Sequence, residues 1–367
     1  GNKLRFDLSP TAGNISRPVQ SPIDFDWNSA YGLYLQGKEN IRERIYVSAE
    51  QNLRASLAKE PYYVPALTDL SMVLYRNMEY EEALATVKKA LSMDTYDPAA
   101  NYYYGVINAR LGNIVDAKDG FDIAALGLEY RSAAYTSLAK LYFKEGALSR
   151  VVDYAYKAIE FNRYAIDAYQ TLAAAYRVLG DQAQAKKVLD TILQYDQLNH
   201  FARFEQYLLE PSAANQSKFT GLIRNEMPVE TYLELAIGYY NLGLKNEAVK
   251  ALQLAPKNAE VLCWQAFLED KPVSLQGVRP DQVFSFREET EEVLTALIEK
   301  NDHWLLKYQL ALIKWNNNDP GEAKRLFDAC GDQPDYAPFY AGRAKFYAGI
   351  DDNAVLKDLL KARDMDR

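Results

Sequence analysis

Two histidines, two cysteines and one run of glutamates are the residues best suited to chemistry in this 367-residue chain. His200 and His303 stand 103 positions apart (303 − 200), too far along the chain for the helical spacing of a shared metal site. Cys263 and Cys330 lie 67 apart (330 − 263), and no CxxC occurs, so a zinc knuckle or thioredoxin-like pair is excluded. Each cysteine sits in a helical pattern, where a small buried hydrophobe is the expected role. Glu288, Glu289, Glu291 and Glu292 bring carboxylates together, as general acid–base catalysis needs. The same spacing is that of a solvated first helical turn, favoured by the helix dipole. No HExxH, GxSxG, P-loop or GxGxxG is present. Asn14-Ile15-Ser16 and Asn215-Gln216-Ser217 match the glycosylation sequon, a match that short sequences produce by chance. No catalytic residue, metal site or cofactor is expected, and this chain by itself is not expected to be an enzyme.

The bulk composition points the same way. Hydrophobic residues make up 49% and charged residues 25%, which is a globular balance. The net charge of −8 repels a phosphate backbone, so nucleic acid is not an expected partner. No apolar run approaches the roughly 20 residues that a membrane-spanning helix needs, so a soluble protein is expected, in cytoplasm or periplasm.

What must position any functional residue is a repeat. Tyr62, Tyr96, Tyr130 and Tyr164 recur at a step of 34 (96 − 62, 130 − 96, 164 − 130). Ala83, Ala117, Val151 and Ala185 share that step, as do Gly112, Gly146 and Gly180. Four successive units follow: 64–97, 98–131, 132–165 and 166–199. A fixed period of this size signals a solenoid. Within 132–165, Tyr135, Leu138, Ala139 and Tyr142 form the stripe of a helix with one buried face; Gly146 breaks it; Val151, Val152, Ala155, Ala158 and Ile159 form a second stripe. Small residues at one shared position, Gly105, Ala139 and Ala173, allow the two helices to approach closely.

The pattern resembles the tetratricopeptide repeat. Tyr169, Leu172, Ala173, Tyr176, Ala185 and Leu189 occupy its signature positions, and so do Tyr232, Leu235, Ala236, Tyr239, Ala248, Leu252 and Ala255 in the unit from Val229. The unit from Trp304 adds Leu310, Ala311, Ala323 and Phe327. The expected fold is all-α: an α-α superhelical solenoid of about ten tetratricopeptide-like helix-turn-helix units, twenty helices in all. The recurring tyrosine falls at the turn between units, where its ring is expected to pack across the joint. Asp97-Pro98 supplies an N-cap followed by proline at the first helical position.

Three departures are legible. Residues 200–228 form a short unit. An insertion at about 271–286, within "KPVSLQGVRPDQVF", splits the unit from about 258, and Ser285 to Glu288 reads as a capping box for the helix that follows. Asp319-Pro320-Gly321-Glu322 opens another helix in the same manner. One array over 26–367 is expected, preceded by an extended leader at 1–25. There Leu4, Phe6 and Leu8 alternate with Arg5 and Asp7 at a period of two, and Pro10, Gly13, Pro18 and Pro22 prevent a long helix. The chain begins Gly1-Asn2-Lys3 without an initiator methionine. It is expected to be an internal fragment, its leader the tail of an upstream β domain that docks on helices within about 26–170.

In such solenoids the first helix of each unit lines the concave groove. The stripe at unit positions 2, 5, 9 and 12, with position 13 beside it, nominates Tyr75, Arg76, Tyr102, Arg110, Lys140, Lys144, Gln170 and Arg177 as residues that bind a protein or peptide. Ordinary solvated helix surface carries the same residue types. The Lys and Asn pattern of carboxylate-clamp tetratricopeptide domains is absent: Tyr102 and Val106, then Thr136 and Lys140, stand at those positions.

Longer phrases, "LEYRSAAY", "NRYAIDAYQTLAAAYR", "LNHFARFEQYLL", "VFSFREET" and "ACGDQPDYAPFYAGRA", resemble the C-terminal repeat region of a bacterial family of unknown function. Members of that family carry an upstream β-sandwich similar to galactose mutarotases. The resemblance implies a carbohydrate-related context, with this chain as the accessory half of an enzyme and its own β domain as a partner. Under that reading Arg131, Asn162, Arg163, Tyr164, His200, Phe201 and Arg203 line one edge of the solenoid and dock the β domain. Capping of the joints between repeats accounts for them equally.

Overall fold

The computed structural model describes residues 24–366 except 282, 284 and 318. The expected strand and most of the leader lie outside the described residues. Among those described there are twenty helices and no strand. They pair consecutively. The first five pairs are α1 (Ala30–Arg42) with α2 (Tyr46–Lys59), α3 (Val64–Arg76) with α4 (Tyr80–Met93), α5 (Pro98–Arg110) with α6 (Ile114–Ala124), α7 (Leu128–Lys144) with α8 (Leu148–Phe161), and α9 (Ile166–Leu179) with α10 (Gln182–Tyr195). The second five are α11 (His200–Leu209) with α12 (Ala213–Thr220), α13 (Pro228–Asn241) with α14 (Lys245–Gln253), α15 (Ala259–Leu268) with α16 (Glu288–Lys300), α17 (Trp304–Asn316) with α18 (Pro320–Ala329), and α19 (Ala337–Tyr347) with α20 (Asp352–Met365).

Local chemistry sets these bounds. Asp97 and Asp319 accept the backbone N–H three residues on, at 2.7 and 3.0 Å, ahead of Pro98 and Pro320. Gly112, Gly146 and Gly180 sit between paired helices at φ +80°, +75° and +81°, a left-handed turn that glycine enters without steric cost. At Gly105 a Cβ would stand 2.7 Å from the Phe121 ring, so glycine here sets the α5–α6 distance. From α1 to α13, each odd helix also packs on the next odd helix, so the odd helices form one continuous inner layer. The apolar stripes merge into three buried clusters along the array.

Two sequence expectations need correction. The capping box does not form: Arg287 is the N-cap residue of α16 without a side-chain cap, while Ser285 is buried with its hydroxyl on Gln309 Oε1 at 3.4 Å. The insertion is held by burial of Val273, Leu275 and Val283 and by Asn301, whose amide donates to the Val273 carbonyl at 2.9 Å. Second, the periodic tyrosines are not one structural feature. Tyr96 is 70% exposed, and Tyr62 and Tyr164 are also more than half exposed. Tyr62 lies under the Lys89 ammonium at 4.6 Å, and Tyr164 meets Tyr195 edge-on at 5.1 Å. Tyr130 instead falls inside α7, which starts early, and packs on Tyr102 at 5.3 Å.

The split eighth unit buries a carboxyl. Glu260 is 1% exposed; the Thr290 hydroxyl donates to it at 3.0 Å, and the Arg287 guanidinium stands 4.0 Å away. Burial pushes its pKa up to about 7, against the pull of Thr290 and Arg287. The folded state therefore holds a proton that the unfolded chain releases near the ordinary glutamate value. Stability falls as pH rises through that window, by up to about 3 kcal/mol. Glu260→Gln is expected to flatten this dependence. Urea denaturation of both proteins at pH 5 and pH 8 measures it, and an equal pH dependence in the two would refute the assignment.

Candidate functional site

The solenoid bends back on itself after its short unit. α11 and α12 have only 10 and 8 residues, so the stack there is foreshortened. Beyond it, Leu242 and Leu244 of the α13–α14 turn enter the same apolar cluster as Leu138 of α7. The Cβ that Gly243 lacks would stand 4.0 Å from Lys144 Cα. Further along, the first turn of α16 reaches the first arm. Glu288 accepts the Tyr80 hydroxyl and lies 3.3 Å from Arg110 Nε. The Arg110 guanidinium also sits 5.3 Å from the centre of the Tyr80 ring. Burial holds the Glu288 carboxyl above its ordinary value, opposed by Tyr80 and Arg110. At the next contact Asn317 meets the Met78 sulfur.

The glutamate run is therefore not a solvated turn. Glu289 accepts from the Asn241 amide at 2.8 Å, Glu292 from the Tyr240 hydroxyl at 3.0 Å, and Glu291 from the Lys314 ammonium at 2.7 Å. All four carboxylates tie one segment of the array to another. Among the described residues no group of three or more His, Cys, Asp or Glu is placed to hold a metal ion.

Between the two arms lie adjoining clefts that share Lys140 and Asn241. One, of about 520 Å³, has Val106, Ala109 and Leu141 of the first arm on one wall and Glu289 and Glu292 on the other. The second, of about 510 Å³, lies between α9 and the start of α11 on one side and α13 on the other.

The nominated groove residues distribute unevenly over this site. Tyr75, Arg110, Lys140 and Lys144 line the first cleft, and Gln170 lines the second. Lys140 is paired with Asp167 at 2.7 Å. Arg110 is held by Glu288. Arg177 is 14% exposed and fully engaged, with Glu205 at 2.7 Å and Glu247 at 2.9 Å. Arg76 lies over the Tyr46 ring at 4.0 Å, and Tyr102 packs against Tyr130 and Phe121. Lys144 is exposed and has no partner among the described residues.

The nominated edge residues also separate. Arg131 donates to the carbonyls of Ala125 and Leu126 at 2.6 and 2.7 Å, and Arg203 to that of Gln197 at 3.2 Å. Asn162 accepts the Tyr164 N–H at 3.0 Å, and Arg163 donates to the Tyr164 hydroxyl at 2.6 Å. These contacts satisfy turn groups at the joints. His200 and Phe201 instead line the second cleft. Sequence reading passed over Gly238 and Asn241 and placed Glu288 only in a carboxylate run and a capping box, since the surroundings of all three follow from the bend and leave no local signal.

Several solved structures are similar to the chain at low identity. A tetratricopeptide repeat protein from Parabacteroides merdae is 14% identical over 91% of this chain and 98% of its own, with a TM-score of 0.42. pilF from Pseudomonas aeruginosa is 17% identical over 58% of this chain and 95% of its own, with a TM-score of 0.49. YrrB, described as a TPR protein with an unusual peptide-binding site, is 16% identical over 48% of this chain and 91% of its own, with a TM-score of 0.40. No protein-family model matches the chain, and no curated protein matches it. These findings give no support to the resemblance to the family with a mutarotase-like upstream domain. The fold is decided by the chain's own geometry, ten consecutive helix pairs with an inner layer of odd helices from α1 to α13. This is an all-α solenoid of tetratricopeptide-like units. Among the described residues no helix is long and apolar enough to cross a membrane.

Proposed function

We propose that the chain is a non-catalytic binding module that holds a peptide or protein segment between its two arms. The observation that carries this reading is the first cleft. It sets the apolar side chains of Val106, Ala109 and Leu141 beside an ammonium, Lys144, that has no internal partner among the described residues. An unpaired, exposed ammonium beside apolar side chains in a concave cleft is the mix of groups that a ligand site presents. A second cleft adjoins the first and shares Lys140 and Asn241 with it, so an extended segment has room to continue.

An array of peptides probed with the full chain tests the reading. Lys144→Glu is expected to remove binding without lowering the thermal midpoint, because its side chain is exposed, and Ala109→Arg, at a half-buried position against the core, is expected to remove binding as well. Peptide binding that survives both substitutions would place the site elsewhere.

A further inference from the structure

We propose that the second cleft is a subsite for the guanidinium of an arginine side chain in the bound peptide. This rests on the peptide-binding reading above and specifies which residue that peptide presents there.

The first observation is a missing side chain. In the regular units the tenth position is apolar: Val73, Ile107, Leu141 and Ala175 stand 34 apart (107 − 73, 141 − 107, 175 − 141). The unit that starts at Val229 has Gly238 at that position, inside α13. Glycine is a poor helix former, and a tight neighbour normally accounts for it. Here a Cβ would meet nothing within 4 Å. Packing does not require this glycine. Its absent side chain widens the second cleft, whose wall it forms.

The second observation is a hydrogen-bond inventory. Each side-chain amide of the cleft already donates one of its two N–H bonds within the protein: Gln170 to Asn199 at 3.3 Å, Asn199 to Asp196 at 3.2 Å, and Asn241 to Glu289 at 2.8 Å. The Lys140 ammonium is likewise held by Asp167. What remains is mostly acceptors. The amide oxygens of Gln170 and Asn241 have no partner among the described residues. The nearest cation to Glu234 is Arg287, 3.7 Å away. His200 Nδ1 is buried with no partner among the described residues. Burial holds the His200 pKa below its ordinary value, so at neutral pH the imidazole is uncharged and one ring nitrogen is an acceptor.

A site of spare acceptors and acidic charge calls for a cation rich in donors. The acceptors come from opposite walls, Gln170 and His200 from one and Glu234 and Asn241 from the other. A planar guanidinium with five donors spans such a set, whereas an ammonium is a single point with three. The chain's net charge of −8 favours the same cationic ligand.

The experiment titrates N-acetyl-arginine methylamide, its citrulline analogue and its lysine analogue into the full chain, followed by NMR. Amide shifts at Gln170 and Gly238 are expected to saturate with the arginine compound. Citrulline, which keeps the shape and loses the charge, is expected to bind roughly tenfold more weakly, since charged hydrogen bonds exceed neutral ones by about that factor. Gly238→Met fills the cleft and is expected to abolish the shifts while the thermal midpoint stays or rises, because Met is the better helix former. Glu234→Gln, at an exposed position, is expected to weaken arginine alone. Equal binding of arginine and citrulline, binding of lysine as tight as arginine, or arginine affinity unchanged in Gly238→Met would each overturn the proposal. If array peptides still bind through the first cleft in that event, only this subsite falls. If no peptide binds at all, the reading of the groove falls with it.

Discussion

Arg177→Ala is expected to cost about 3–5 kcal/mol of global stability, the range for removing one partner of a buried ion pair. Glu205 is fully buried on α11. It is held by two Arg177 nitrogens at 2.7 and 3.2 Å and by the Tyr239 hydroxyl at 2.8 Å. Arg177 also reaches Glu247 on α14 at 2.9 Å. One guanidinium thus joins α9, α11 and α14 across the bend. Burial pushes the Glu205 carboxyl up from its ordinary range, and the Arg177 fork and the Tyr239 hydroxyl pull it back. Without Arg177 the carboxyl shifts further up, because only burial and its neighbour Glu247 then dominate. A group raised in the folded state loses stability as pH rises, so the variant's deficit should be larger at pH 8 than at pH 5. Urea denaturation at both values measures it. A deficit below about 1 kcal/mol at pH 8 would show that the pair contributes no more than an exposed one does.

Arg343→Ala is expected to have an effect of similar size, but confined to the end of the array. Asp358 is 2% exposed and accepts two bonds from Arg343, at 2.8 and 2.7 Å. The same guanidinium donates to the Gly331 carbonyl at 2.5 Å and to Asp332 at 3.2 Å. It therefore pins α19 and α20 to the preceding unit. In a solenoid each unit contacts mainly its neighbours, so stability is close to a sum of unit and interface contributions. Loss of this terminal interface should unfold α19 and α20 locally, at about 3–5 kcal/mol less than in the parent. Hydrogen exchange is the measurement: protection should fall in 337–365 and persist in 166–253. Uniform loss throughout the chain would mean that the last unit folds cooperatively with the rest.

The two arginines separate local from long-range information. Arg343 and Asp358 lie in one helix pair, 15 residues apart (358 − 343), and belong to a unit that the repeat already marked. Arg177 looked like a groove residue because its unit position faces the concave side. It does face inward, but the second arm occupies that space with Glu247. A position within a repeat specifies a face of a helix and says nothing of what stands opposite it.

The sequence by itself determined the repeating unit and most of its punctuation. The 34-residue step, the glycines at 112, 146 and 180 and the caps at Asp97 and Asp319 depend on residues within one helix or on the next unit along. Interactions of that range recur with the period and can be seen in it. The tertiary structure alone decided that the array closes. Tyr80 and Glu288 lie 208 residues apart, and nothing about either predicts the other. Their meeting sums the rotation of every intervening unit and the foreshortened stack at α11 and α12. A small change in any packing angle would move α16 past α5, so no periodic trace of the contact exists. The closure in turn made the clefts, consumed Arg110 and Arg177, left Lys144 without a partner among the described residues and put an unfilled glycine opposite His200.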